Sequence, residues 1–389
     1  MKTITNIQPA SAVLVGVTGT VGKTTIAELL FQYLSLNNRV LYVGTSGIKN
    51  NQRSSYLPSF PCTSPPTAEV LQEIFNMAEE DEIEYIVLET TAESMFNNVY
   101  DGVIFDVMAC SNFKPNVVRS FADDEQYFQA KNKLFQQGQV KMAIVNEQTT
   151  HLITQQNKIT YAAEGFVNEE GKLVIPRFNL TTNLYSTVNA ENVCCFLKTI
   201  EFLNVFDIKK VKKFLGVVKV PGRFEFFQFY GRKIFIDTGY GGVDGLRPFM
   251  QQVFSKYSNR RVLLSNYFFD SDNDTAEDMV QKRLERAQLM AQYSDDIIIT
   301  ATMSVKTNKD PSREAPVLQQ LKVGAPQASV IYNRIEALEQ LLLSSKKGDA
   351  LLILGTGSEK WGLLKGSPVG DYEMIQIIGK EIFPKEDNE

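Results

Sequence analysis

The sequence predicts an α/β fold in two domains. The first, residues 1–220, is built on a mostly parallel sheet, and the second, residues 221–389, is a further α/β layer. Three observations carry this expectation. Apolar runs of strand length, Ala12–Val17, Arg39–Val43, Tyr85–Leu88, Phe105–Cys110 and Met142–Asn146, recur between helix-like stretches. The first run ends in Gly16, Gly19 and Gly22, spaced by three, and leads into the helix-like segment Ile26–Leu34. Pro221-Gly222 then makes a turn, and a second series of strands follows at Ile234–Asp237, Arg261–Leu264, Asp296–Thr300 and Leu351–Leu354.

Composition sets the bounds. A chain of 389 residues has room for two or three buried cores. Hydrophobic residues make up 43% and charged residues 22%, the balance of an ordinary globular protein. A net charge of −5 gives no pull toward nucleic acid or a membrane surface. No apolar run reaches the length of a membrane span, and Met1–Ala10 lacks the apolar core of a secretion signal. Cys62, Cys110, Cys194 and Cys195 have no metal-ligand spacing and read as reduced residues, so a cytoplasmic location is expected. His151 is the one histidine, which removes histidine metal sites and Ser–His–Asp catalysis from consideration.

The stretch Gly16-Val-Thr-Gly-Thr-Val-Gly-Lys-Thr-Thr25 is the chemical centre of the chain. Glycines let the backbone curl so that its N–H groups face phosphate oxygens, and the helix that follows adds partial positive charge. Lys23 would reach the outer phosphates, and the Thr24 hydroxyl would sit on Mg²⁺. Gly19, Thr20, Gly22 and Thr25 complete the expected nucleotide contacts. Val17 stands where the general phosphate-loop pattern has glycine. A tight turn in an unrelated α/β protein is the plainer alternative.

With that departure included, the loop resembles that of the Mur ligases, ATP-dependent enzymes that join an amino acid to a carboxylate. The resemblance implies a P-loop NTPase-like central domain, a Rossmann-like C-terminal domain, and ATP and Mg²⁺ as cofactors. Thr63-Ser64-Pro65 is similar to a segment in the branch that adds the third stem-peptide residue. Thr67 can equally cap the amphipathic run Ala68–Ala78. Glu89-Thr90-Thr91 ends a strand pattern beside the loop, and the resemblance gives Glu89 a Mg²⁺ role; an acid capping the next segment is the alternative. Asn112 to Phe135 aligns with a family segment without a gap. It places Lys131 on a lysine that is carbamylated in the family, where an anionic carbamate holds a second Mg²⁺. A solvated helix face is the other reading of Lys131, given Lys133 nearby. The family histidine of this segment is Val117 here, and its neighbouring aspartate is Asn116.

Met142–Asn146 resembles the family strand whose asparagine faces the nucleotide. Ile153–Thr181 alternates apolar and polar residues around a Glu-Glu-Gly turn at 169–171 and reads as a β-hairpin. Asn189 and Asn192 open a helix where the family has a nucleotide-contacting pair, with an N-cap role as the alternative. Val220-Pro-Gly-Arg-Phe-Glu225 resembles the family's domain junction, and the resemblance makes Arg223 the candidate phosphate clamp. Its planar fork suits oxyanions. Asp237 aligns with an acid that contacts ribose. The family histidines near there and in Gly355-Thr-Gly-Ser-Glu359 are Tyr240 and Ser358 here. Glu359 could hold an incoming amine. Ala301-Thr-Met-Ser-Val-Lys306 lacks the arginine of the diaminopimelate-adding branch, so that substrate is not assigned.

The resemblance spans about residues 10–380; with about ten residues ahead of the first strand, the family's N-terminal UDP-sugar domain is not expected, a layout similar to folylpolyglutamate synthetase. The expected activity is ligation of a small-molecule or peptide carboxylate to an amino acid through an acyl phosphate. Lys23, Glu89, Lys131 and Arg223 are its catalytic candidates, with Thr24, Glu89 and Lys131 at metal. The lost histidines favour the alternative, a catalytically degenerate nucleotide-binding partner or scaffold. No nucleic-acid or membrane partner is expected, and oligomeric state is not readable.

Overall fold

The computed structural model describes residues 11–52, 64–65, 67–114, 121, 123–238, 242–265, 277–302, 314–355, 362–364 and 367–384. The chain divides into two compact units. One comprises residues 1–166, 173–182 and 189–218, and the other 167–172, 183–188 and 219–389.

The first unit begins with β1 (Val13–Thr18), α1 (Lys23–Leu34), β2 (Val40–Gly44) and β3 (Gly47–Asn50). It continues through α2 (Ala68–Glu80), β4 (Tyr85–Glu89), α3 (Ala92–Phe96), β5 (Phe105–Cys110), α4 (Asp124–Gln136), β6 (Val140–Asn146) and β7 (Lys158–Tyr161). A short meander of β8 (Phe166–Val167), β9 (Lys172–Ile175) and β10 (Leu180–Tyr185) precedes α5 (Ala190–Phe202) and α6 (Ile208–Leu215). The main sheet has the order β3-β2-β4-β1-β5-β6-β7. All its pairings are parallel except β2–β3.

The central strands are apolar on both sides because helices cover both faces. Leu71, Ile74 and Phe75 of α2 and Leu134 and Phe135 of α4 join Leu14, Leu88, Met108 and Val145 in one core. On the other face α1 and α5 pack on β1, β4, β5 and β6. Tyr33 of α1 fixes that layer, its ring meeting Phe196 and Phe214 at centroid distances of 5.6 and 5.5 Å. Helix starts follow the expected capping chemistry: Thr67 accepts from the Val70 N–H, and Asp123 from the Gln126 N–H at 2.8 Å.

One expectation changes, and one strand lies outside the apolar runs. After Gly44 the chain does not leave the sheet at once. Thr45-Ser46 makes a two-residue turn, Gly47 takes φ 95°, and β3 folds back antiparallel on β2. Residues 153–181 are not one hairpin. Lys158–Tyr161 joins the main sheet parallel to β6, because a 3₁₀ turn at Glu147–Leu152 carries the chain back to the start of that strand. Only β8 and β9 flank the Glu-Glu-Gly turn, closed by the Asn168 side chain accepting from the Lys172 N–H. Alternation along the chain marks strands but does not say which neighbour each one joins.

The second unit continues with β11 (Glu225–Phe229), β12 (Arg232–Asp237), α7 (Gly242–Gln252), β13 (Arg260–Ser265), α8 (Glu277–Tyr293) and β14 (Asp296–Thr300). Then come α9 (Ala315–Gly324), β15 (Ser329–Val330), α10 (Arg334–Ser344), β16 (Ala350–Leu354), β17 (Gly362–Leu364), β18 (Ser367–Val369) and α11 (Asp371–Ile382). Its sheet has the order β11-β12-β16-β13-β14-β15, parallel except for β11. α7, α8 and α9 cover one face, and α10 and α11 the other. A buried, bidentate Arg334–Asp371 pair joins α10 to α11 at 2.8 Å.

No described helix is long and apolar enough to cross a membrane. Thr63, Asn116, Val117, Tyr240, the 303–306 segment, Ser358 and Glu359 lie outside the described residues.

Candidate active site

The glycine loop joins β1 to α1. Gly19 and Gly22 have φ of 143° and 89°, which only glycine adopts without strain, and a side chain would have nowhere to go. A Cβ on Gly19 would lie 1.8 Å from Ser111 Oγ, and one on Gly22 would lie 2.0 Å from Asn192 Oδ1. Gly22 stands at the N-cap of α1 without a side-chain cap, and the partial positive charge of a helix N-terminus favours an anion. Val17 is the penultimate residue of β1, buried and in register with Glu89 and Ala109. It holds the strand where the general pattern has a loop glycine.

Strand order delivers the metal candidates. β4 lies beside β1, so Glu89 ends its strand level with the loop. Its carboxylate is fully buried. Thr24 Oγ1 donates to Glu89 Oε2 at 3.0 Å, and Thr45 Oγ1 does so at 3.2 Å. Oε1 accepts from the Tyr42 hydroxyl at 2.6 Å and from the Thr45 N–H at 3.0 Å. Burial first and the charge of Glu89 second push the Tyr42 phenol well up, so it keeps its proton and donates. Glu89 is therefore not the cap of the next segment. That part belongs to Thr91, which accepts from the Ser94 N–H. Ser64 is buried against Thr91 and Ser94, at 2.8 and 2.6 Å.

Lys23 Nζ folds back onto the loop and donates to the Gly19 and Thr20 carbonyls at 3.0 and 3.2 Å. Thr20 Oγ1 accepts from the Tyr127 hydroxyl of α4 at 3.3 Å, and Thr25 is buried in the first turn of α1. Lys131 lies one turn after Tyr127. It is 1% exposed, which overturns the solvated-face reading; the neighbouring Lys133 is the one that reaches outward. The Lys131 ammonium position lies 5.4 Å from the Phe113 ring centroid and 4.8 Å from that of Tyr127. Burial, and then the charge of Lys23, hold its amine well below the usual lysine range.

Asn189 occupies the N-cap position of α5 but makes no cap bond; its side chain accepts from Asn192 Nδ2 at 3.1 Å. Three residues that the motifs did not single out hold the loop. Asn112 Oδ1 accepts from the Val21 N–H and Nδ2 donates to the Val21 carbonyl, each at 3.1 Å. Ser111 Oγ donates to the same carbonyl at 2.5 Å. Glu191, between the two motif asparagines, accepts from Asn112 at 3.1 Å and from Asn146 at 2.5 Å, with its carboxyl pushed up by burial. Asn112 heads the aligned segment and Glu191 lies inside the Asn189–Asn192 run, so position in the motifs was the available signal.

Arg223 and Asp237 belong to the second unit. Arg223 Nη1 donates to the Gly222 carbonyl and to Thr238 Oγ1, each at 2.9 Å. Asp237, at the end of β12, accepts from the Phe224 N–H at 3.0 Å. The other ten candidates gather around the loop in the first unit.

Gly22→Ala combines left-handed strain of about 1–2 kcal/mol with a clash against Asn192. The expected result, read by thermal shift, is that ADP raises the melting temperature of the unmodified protein and fails to raise that of the variant.

The sequence model of the Mur ligase middle domain matches residues 17–215. A UDP-N-acetylmuramoyl-L-alanyl-D-glutamate–2,6-diaminopimelate ligase of Caldanaerobacter subterraneus subsp. tengcongensis is 25% identical over 412 residues, covering 97% of this chain and 76% of the relative. Among solved structures, the MurF ligase from Thermotoga maritima in complex with ADP superimposes with a TM-score of 0.66 at 15% identity, over 97% of this chain and 81% of that one. The Mycobacterium tuberculosis folylpolyglutamate synthase complexed with ADP gives 0.65 at 12% identity, over 98% and 92%. At these identities the two structures speak to the fold.

Proposed function

This chain belongs to the Mur ligase family, and from that premise we propose that it is an ATP-dependent acid–amino-acid ligase working through an acyl phosphate. The observation that carries the reading is the 3.0 Å approach of Thr24 to the buried carboxylate of Glu89 at the mouth of the glycine loop. A hydroxyl and a carboxylate are part of the oxygen set that Mg²⁺ takes beside phosphates and water. The loop supports a nucleotide on separate grounds: Gly19 and Gly22 hold the positive φ of a curled loop that runs into the N-terminus of α1, an end that favours anions. Thr24 and Glu89 would hold Mg²⁺, which when bound neutralises charge on the transferring phosphoryl group.

Lys23 would exchange its two loop carbonyls for the outer phosphates, and the family resemblance gives Arg223 a phosphate-clamping role. Thr20, Asn189 and Asn192 would line the nucleotide, and Asp237 would take the ribose hydroxyls. An oxygen of the substrate carboxylate then bonds to the γ-phosphorus as the bond to the β–γ bridging oxygen breaks and ADP leaves. The amine nitrogen next bonds to the acyl carbon, the bond to the phosphate oxygen breaks, and the surplus amine proton passes to solvent. Catalysis of such a transfer rests on position and charge.

Lys131 fits the carbamate reading. A neutral amine adds to the carbon of CO₂, loses one proton and becomes an anion, and burial beside Lys23 favours the neutral amine. The carbamate would hold a second Mg²⁺.

ADP and phosphate release, followed across a matrix of carboxylate acceptors and amino acids, tests the proposal. Release that needs both an acceptor and an amine is expected. Release without the amine would indicate a plain ATPase. No release in any mixture, with nucleotide still bound, would favour the scaffold reading instead.

A further inference from the structure

β2 alternates between the two faces of its sheet. Leu41 and Val43 point into the core shared with α2, so Tyr42 and Gly44 point to the face covered by α1. Tyr42 is fully buried there. Its ring meets Phe31 of α1 at a centroid distance of 5.7 Å. Lys49, its partner across the β2–β3 pairing, places its ammonium 4.9 Å from the ring centroid and pairs with the buried Glu28 of α1. All of these contacts use the ring. A phenylalanine would make each of them, so packing gives no reason for the hydroxyl.

The hydroxyl is spent on Glu89. Tyr42 Oη donates to Oε1 at 2.6 Å and itself accepts from the Ser46 N–H at 3.3 Å, which turns its proton toward the carboxylate. The Thr45 N–H donates to the same oxygen at 3.0 Å. Oε2 takes the hydroxyls of Thr24 and Thr45. The two carboxylate oxygens are thus divided: β2 and its turn hold one, and the other faces the glycine loop. Gly44 makes the close approach possible. It has no positive φ to account for it, yet a Cβ there would lie 2.3 Å from Glu89 Oε1 and 2.6 Å from Tyr42 Oη.

On the ligase reading of Thr24 and Glu89 as Mg²⁺ holders, we infer that Tyr42 is a positioning residue: it grips Oε1 so that Oε2 is presented to the metal, and Gly44 leaves the room for that grip. A carboxylate whose second oxygen is fixed loses little orientational freedom when a cation arrives. Partners of this kind tune metal affinity without touching the metal.

The test uses the full chain and Tyr42→Phe, which removes one oxygen and keeps the ring. Thermal shift is read at saturating ADP while Mg²⁺ is titrated in, with a parallel series in EDTA. The Mg²⁺ concentration at half the full rise should increase about 10–100-fold in the variant. The rise given by ADP in EDTA should be the same in variant and parent. In turnover the Mg²⁺ requirement should move by the same factor, with KM for ATP unchanged once Mg²⁺ saturates. Tyr33→Phe, which removes a hydroxyl bonded to the Val205 carbonyl at 3.0 Å, is the control and should leave the Mg²⁺ midpoint where it is. Gly44→Ala, which crowds the same oxygen, is the second variant and should move the midpoint in the same direction. The double variant should lose less than the two single losses multiplied, because both act through Oε1.

An unchanged Mg²⁺ midpoint in Tyr42→Phe would make the residue a core aromatic and overturn the inference. So would an ADP rise that falls equally in EDTA, since the hydroxyl would then act on the loop. A parent whose ADP rise ignores Mg²⁺ would remove the metal and the positioning role together. Failure of the ligase reading looks different: the Mg²⁺ midpoint would still move in Tyr42→Phe, in a protein that forms no ADP from any substrate pair.

Discussion

Lys131→Ala is expected to lower amide-forming turnover by about 10²–10³-fold, the usual cost of removing one electrostatic group from a transferring site. Formate or acetate added to the assay should restore part of it. A short carboxylate can enter the space left by the side chain and supply the missing anion, whereas added methylamine should not. The reasoning is geometric. Tyr127 and Lys131 are successive turns of α4, and Tyr127 is hydrogen-bonded to Thr20 of the loop. Lys131 is buried there against Phe113 and Tyr127 and feels the charge of Lys23.

A buried, unmodified lysine also leaves a stability signature. Its folded pKa lies below the unfolded value, so between those two values the unfolded chain binds the extra proton. The unmodified protein should gain stability as pH rises from the lowered folded value toward about 10.4. Lys131→Met should remove that slope and melt no lower near neutral pH, because it replaces a buried amine with an apolar chain of similar length. Full activity in Lys131→Ala would end the carbamate proposal. Lost activity without rescue would leave the lysine important by some other means than its anion.

Lys23→Ala should be the more damaging change, with turnover falling about 10³-fold or more and ATP affinity falling with it. In the structure the ammonium rests on two carbonyls of its own loop. Those carbonyls can turn to water when the side chain is cut, so the melting temperature without nucleotide should move little. The increment given by ADP–Mg²⁺ should shrink sharply. Lys23→Arg is not expected to rescue, because a planar fork does not replace a compact ammonium inside a curled loop. A variant that keeps ATP turnover would remove the phosphate role of the glycine loop, and the ligase proposal with it.

Much of the first unit is legible along the chain. Gly19, Gly22 and Lys23 state the loop, since positive φ and a cation after it are local requirements. The strand ends at Glu89 and Asp237 follow from apolar runs that stop in an acid. Residues 153–181 misled because alternation is the same whether a strand pairs with its neighbour in sequence or with β6 across the sheet. Lys131 was ambiguous for a related reason. Its helix carries a second lysine two residues on, and only the packing of α4 decides which one is inside.

The amino-acid sequence by itself determined the elements, the glycine loop and the kinds of residue available for phosphate and metal, because turn chemistry and periodicity are set by near neighbours. Tertiary structure alone decided that β4 lies beside β1, so that Thr24 meets Glu89 across 65 positions, and that Asn112 and Glu191 strap the loop from distant segments. It also decided that Lys131 is buried. Strand order and helix docking are fixed by the burial of whole faces, and that free energy belongs to the assembled layers and to no single stretch of chain.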